Sequence, residues 1–274
     1  MSSALLPGLR NLRVALLIGS LLLGSLYIIF GHGSFYDVKL KDSALEIVHL
    51  TQYMPILLVA LSCVLIGSLF MTGLEGVVDT LHRNYVAVKL EDIKSPVVRR
   101  IVFSFTPFSE SARKRIRIEA ERFYLEFSPD IGANSAYQLP PKDAFVDQVL
   151  REVLWLDGKL AGTPLQAPYD QFRSEGEIRL GTALMLPLAA CASAYAMNLG
   201  NWAIVSMGGV SSLLAILLGD YGLYYFRRAH SFLAHHIADG KLLAPSMETL
   251  KRVVESALAE KAKRTESKIK LLSP

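Results

Sequence analysis

Four apolar runs, at 14–30, 53–73, 180–199 and 202–226, constrain the fold of this chain more than any other feature. A helix needs about 20 apolar residues at ~1.5 Å each to cross a hydrocarbon layer of ~30 Å, and each run falls in the tolerated range. Within lipid the backbone must satisfy its own hydrogen bonds, so such segments are helical. Composition agrees, with 51% hydrophobic residues, 20% charged and a mean hydropathy of +0.33. A soluble domain carries about a quarter charged residues. The sequence therefore predicts an α-helical membrane protein, with four transmembrane helices and a small α+β cytosolic domain inserted between spans 2 and 3. The expected divisions are an N-terminal hairpin at 1–75, the cytosolic domain at 76–178, a C-terminal hairpin at 179–228 and cytosolic helices at 229–274.

Arg10 and Arg13 followed by VALLIGSLLLGSLYIIF also describe a secretory signal. The run is longer than the usual core of about 7 to 15 residues and no A-x-A-like site follows, so it reads as a retained anchor. Of the 29 Lys and Arg residues, two precede the first run and two, Lys39 and Lys41, lie between the first pair. Fifteen lie between the second and third runs and ten after the fourth. This asymmetry places both termini and the central segment in the cytoplasm of a plasma or inner membrane, by the positive-inside rule. It also accounts for the net charge of +4 without nucleic acid, and makes anionic inner-leaflet lipid the expected partner.

Asp220 interrupts the fourth run. It lies about 27 Å along a helix entered at Trp202, which is the far edge of the hydrocarbon. Tyr221, Tyr224, Tyr225 and Phe226 then form an interfacial belt before Arg227 and Arg228. Because only NLGN joins the third and fourth runs, the antiparallel register sets Asp220 opposite Arg179, and Glu175 and Glu177 near Arg227 and Arg228. A juxtamembrane ion pair Arg179–Asp220 is the expectation, since charges at this depth are tolerated when paired. A ring of Asp220 side chains at an oligomeric pore mouth is the alternative.

Small residues at four-residue spacing let membrane helices approach closely. Ala15/Gly19, Ser20/Gly24, Gly208/Ser212 and Ala215/Gly219 have that spacing, and they suit packing within the chain or a homo-oligomer. Pro187 predicts a kink in the third span.

In the central segment, NYVAVKL and VVRRIVFSF are β-branched runs separated by a proline turn, and they read as a strand hairpin. From Ser109 the pattern turns helical, with Ile116, Phe123 and Phe127 on one face; a second amphipathic helix from Lys142 carries Phe145, Val149, Val153 and Leu156. Ser246 is the expected cap of a C-terminal helix to about Lys263, with the last ten residues frayed.

The sequence carries no Gly-rich phosphate loop, G-x-S-x-G, H-E-x-x-H or Cys-x-x-Cys, so no catalytic residue, cofactor or metal site is predicted. Cys63 and Cys191 fall mid-span. His230, His235 and His236 are spaced five and six apart rather than the four that suits a helical metal pair, although His82 could join them. The basic cluster Arg113, Lys114, Arg115 and Arg117, together with Arg227 and Arg228, is the candidate contact for anionic lipid or another anionic ligand. It could also be a solvated face balanced by Glu110, Glu119 and Glu121. Two functions remain: a homo-oligomeric membrane scaffold or sensor whose cytosolic domain binds a partner protein, or a channel or pore-forming effector gated by that domain.

Overall fold

A computed structural model describes residues 5–30, 54–86, 88, 92–128, 140–197 and 199–272. Within them the chain forms helices α1 (Leu5–Phe30), α2 (Met54–Tyr85), α3 (Pro96–Phe105), α4 (Glu110–Phe127), α5 (Lys142–Glu152), α6 (Gln166–Ala196), α7 (Asn201–Ala238) and α8 (Pro245–Leu272). A 3₁₀ segment, Val153–Leu160, extends α5. Three helices, α2, α6 and α7, are long and apolar enough to cross a membrane. In α1 the apolar stretch that can be described, Leu12–Leu26, is shorter than a span.

The expected strand hairpin is not formed. Residues 97–105 lie in α3, and no strand occurs among the described residues, so the α+β expectation is corrected to all-α. Residues 87, 89 and 90 of the first expected strand lie outside the described residues. Ser95 explains the helix: its hydroxyl accepts from the Val98 amide, and Pro96 supplies a preset φ in the first turn. Start chemistry overrides the weak strand preference of valine and isoleucine.

The chain divides into two compact units, 1–80 with 170–226 and 81–169 with 227–274, and passes between them within α2, α6 and α7. The first unit packs by close approach. A Cβ on Gly19 would run into the Cys63 carbonyl, and one on Gly67 into that of Ala15, so the α1 and α2 backbones touch at two levels. A Cβ on Gly222 of α7 would lie 3.0 Å from the Leu180 amide of α6, and one on Gly176 would lie 3.0 Å from the Gly222 carbonyl. Val14, Ile18, Met71 and Met185 fill the centre. Outside that centre α7 is open, with Trp202 87% exposed and Val205, Leu213, Ile216 and Leu217 also exposed. Helix α6 continues through Pro187 to Ala196.

The second unit packs as a water-soluble core does. The faces of Ile116 and Phe123 on α4, and of Phe145, Val149, Val153 and Leu156 on α5 and its extension, are buried with Leu233, Ile237 and Met247. Gly240, at φ +69, ends α7, and its amide donates to Ile237 O at 2.9 Å. The start of α8 differs from expectation. Ser246 does not cap it; Pro245 opens the helix, and the Glu152 carboxylate accepts from the Ser246 amide at 2.8 Å and its hydroxyl at 2.7 Å. The carboxylate satisfies an orphan amide at the positive end of the helix dipole. The helix also runs past the expected end near Lys263, to Leu272.

Candidate functional site

A buried polar arrangement in the second unit surrounds the corner between α3 and α4. It begins with the length of α2. At 32 residues the helix is about 48 Å long, well beyond a ~30 Å hydrocarbon layer. Its apolar run closes at Gly73, so Asp79, His82 and Arg83 belong to the extension beyond the span. His82 and His230 meet there edge to face, with ring centroids 5.1 Å apart, and Phe108 and Tyr169 each place a ring 6.5 Å from His230. Burial pushes the His82 pKa down to about 2, assisted by the charges of His230 and Arg227. His82 is therefore neutral at physiological pH.

Arg227 organises the corner. It is only 8% exposed, its Nη2 donates to Phe103 O at 2.7 Å and its Nε to Thr106 O at 3.2 Å. Its guanidinium also lies 4.0 Å from the Phe103 ring centroid. The last carbonyls of a helix lack intrahelical donors and carry the negative end of its dipole, so a buried cation is well placed on them. Thr106 Oγ1 donates to the same Phe103 carbonyl at 2.8 Å. The following turn is fixed from α7 as well: the Ser109 amide donates to Ser231 Oγ at 2.8 Å, while Ser109 Oγ accepts from Ala112 N at 3.3 Å and caps α4. Arg83 stacks on Trp155 at 3.8 Å.

The residues singled out in the sequence are distributed as follows. Arg179 pairs with Glu175 on its own helix at 3.1 Å, and its guanidinium lies 4.1 Å over the Tyr225 ring. Asp220 is exposed on α7. Glu177 pairs with Arg173 at 3.2 Å, and Arg173 also reaches Glu75 at 3.4 Å. Within the basic cluster, Arg113 Nη1 donates to Val88 O at 2.5 Å and Arg117 lies 3.8 Å from Glu121, whereas Lys114 and Arg115 are exposed. Arg227 lies buried on backbone carbonyls, and Arg228 is exposed. Of the four histidines, His82 and His230 come together; His236 Nδ1 lies 2.9 Å from Phe232 O within its own helix. Among the described residues no group of three or more His, Cys, Asp or Glu is arranged to hold a metal ion.

Two functional positions escaped sequence reasoning, Arg227 as the holder of α3 and Glu152 as the cap of α8. Both act across more than 90 residues of chain, at separations of 121 and 124 for Arg227 and 94 for Glu152. A cavity of about 130 Å³ adjoins Glu152, lined by Phe145, Gln148, Ser246 and Thr249. Its carboxylate is already engaged by Ser246. The arrangement positions helices. No protein-family model, curated protein or solved structure matches the chain.

Proposed function

We propose that the chain is a non-catalytic, homo-oligomeric membrane scaffold or sensor of four spans, lying in the plasma or inner membrane with both termini cytoplasmic. The second unit binds a partner protein, and the basic surface of Lys114, Arg115 and Arg228 lies towards anionic inner-leaflet lipid. The observation that carries this reading over a channel is the use of the mid-span hydroxyls of α6 and α7. Ser193 donates to Ala189 O, Ser206 to Ala203 O, and Ser211 and Ser212 both to Gly208 O, each on its own helix. Hydroxyls bonded to their own backbone do not build the continuous polar line that an ion path requires. Self-association is supported by the first helix: Ala15 and Gly19 are consumed against α2, whereas Gly24 has open space and Ser20 is exposed.

The test is native mass measurement in lipid nanodiscs followed by conductance in a planar bilayer. The expected result is a defined oligomer that passes no current. Unitary currents would overturn the reading in favour of the channel, and a monomer would remove its oligomeric part. For topology, reporters placed after Pro274 or at Gly132 should be active only in the cytoplasm, and one near Ser34 only outside.

A further inference from the structure

Helix α3 is held to the protein near its last turn and leaves Val97, Val98 and Ile101 uncovered. Val97, Val98 and Ile101 are 67%, 48% and 55% exposed, and no residue of the helix is buried. At 100° per residue these three, with Val102 and Phe105, occupy one arc of the helix, and Phe103 lies on the opposite side. Phe103 is the residue that Arg227 holds, by ring and by carbonyl. Arg227 therefore holds the helix on the side opposite Val97, Val98 and Ile101, while Phe105, on the same arc as those three, packs on Tyr85 at the end of the helix. Arg99 and Arg100, both exposed, flank Phe103, and Lys94 is exposed just before the helix. No acidic residue occurs between Lys94 and Phe108.

The position of the helix along the membrane normal follows from its holder. Arg227 comes directly after Tyr221, Tyr224, Tyr225 and Phe226, the aromatic end of an apolar run long enough to span. Aromatic residues of this kind mark the headgroup level. Arg227 then grips the last turn of α3, and Phe105 stacks on Tyr85, the last residue of α2, with centroids 5.8 Å apart. A short helix with an outward apolar stripe and flanking arginines, fixed at headgroup depth, has the character of an interfacial helix.

We propose that α3 lies in the surface of the bilayer, with Val97, Val98 and Ile101 inserted below the headgroups and Lys94, Arg99 and Arg100 on anionic lipid phosphates. The apolar stripe enters the acyl boundary while the long arginine side chains reach back to the charged layer. Ten residues would bind weakly alone. Tethering through Arg227 makes insertion intramolecular, so the short stripe suffices. The second unit is then read against the membrane it borders, and the loss of anionic lipid would release α3 and the α3–α4 corner together. This proposal rests on the reading that α7 spans the membrane.

The experiment is quenching of a single bimane label by brominated lipid, in full-length protein in nanodiscs, on a Cys63→Ala, Cys191→Ala background. Labels are placed singly at Ile101→Cys, Val98→Cys, Arg100→Cys on the far side of the helix and, as the span control, Leu213→Cys. The expected result is quenching at 98, 101 and 213 at least twofold stronger than at 100. At 98 and 101 it should fall at least twofold when phosphatidylglycerol is replaced by phosphatidylcholine or when Arg99 and Arg100 are both changed to Gln. Quenching at 213 with none at 98 or 101 would overturn the proposal and leave the membrane reading intact. If iodide in the water also fails to reach 98 and 101, a protein surface covers the stripe instead. Absence of quenching at 213 would overturn the membrane reading itself.

Discussion

The two units solve the same packing problem with opposite materials. In the first, helices meet where side chains are missing: Gly19 against Cys63, Gly67 against Ala15, Gly222 against Gly176 and Leu180. In the second, they meet where side chains are large, at Ile116, Leu156, Leu160, Leu233, Ile237 and Met247. Lipid tails are as apolar as leucine, so burying a leucine between membrane helices gains little, and close van der Waals approach is what remains. Water penalises exposed leucine by about 25 cal/mol per Å², which makes bulk the better cement outside the bilayer. One chain thus carries two packing rules, and α2, α6 and α7 pass from one to the other along their lengths.

The largest expected effect breaks the first rule. Gly67→Leu or Gly19→Leu puts a side chain where a carbonyl already stands, and the α1–α2 contact should be lost, with no cooperative melt in detergent. Gly73→Leu, where no atom lies within 4 Å, should melt as the parent does. Equal losses at positions 73 and 67 would show that the glycines serve the helix and not the contact. Next in size, Leu233→Ala or Ile116→Ala should cost about 2–5 kcal/mol in the second unit, read by urea unfolding. An alanine at either site that costs under ~1 kcal/mol would deny that unit a close-packed core.

Smaller effects come from polar groups that fix helix ends. Glu152→Ala removes the acceptor of the Ser246 amide and hydroxyl and should cost about 1–2 kcal/mol. Gln at this position should retain part of that, because its carbonyl still accepts while its charge on the helix end is lost. If Gln and Ala fall equally, the charge on the helix end carries the whole contribution.

These differences explain what could be read in advance. The faces of α4 and of α5 were legible because an amphipathic period survives in any water-facing helix: Ile116, Phe123, Phe145, Val149, Val153 and Leu156 lie buried, and Phe127, at the end of α4, is half-buried. The apolar runs of α2, α6 and α7 were legible by length alone. Helix α3 was not, because Val97, Val98, Ile101 and Val102 outweighed Ser95-Pro96 in a strand reading. Their spacing of one, four and five residues was the helical signal present in the sequence. The Arg227 and Glu152 contacts had no local signal, since each depends on which distant backbone arrives beside the side chain. His82 and His230 could be suspected of meeting, and their rings do meet, but nothing in their spacing showed that the meeting place would be dry.

That dryness gives the smallest effect and a direct check on the boundary between the two rules. His82 lies nine residues past the end of its apolar run, yet it is buried, and its pKa of about 2 stands below the ordinary 6.5. For a base with a depressed native pKa, the unfolded chain binds the extra proton between the two values, so stability is full above about pH 6.5 and falls as the solution is acidified. Near pH 6 the contribution of this one group to the folded/unfolded ratio should be about fourfold lower than at pH 8. His82→Gln removes the titration and should flatten that part of the urea midpoint profile between pH 8 and pH 6, whatever it does to the midpoint itself. His230 and Arg227, the neighbours whose electrostatic interaction reinforces the depression, lie on the same side of the chain's boundary as His82. An unchanged slope in His82→Gln would mean that water reaches the ring. The extension of α2 would then be solvated at its last turns, and the core-like packing assigned to the second unit would have to begin further from the span.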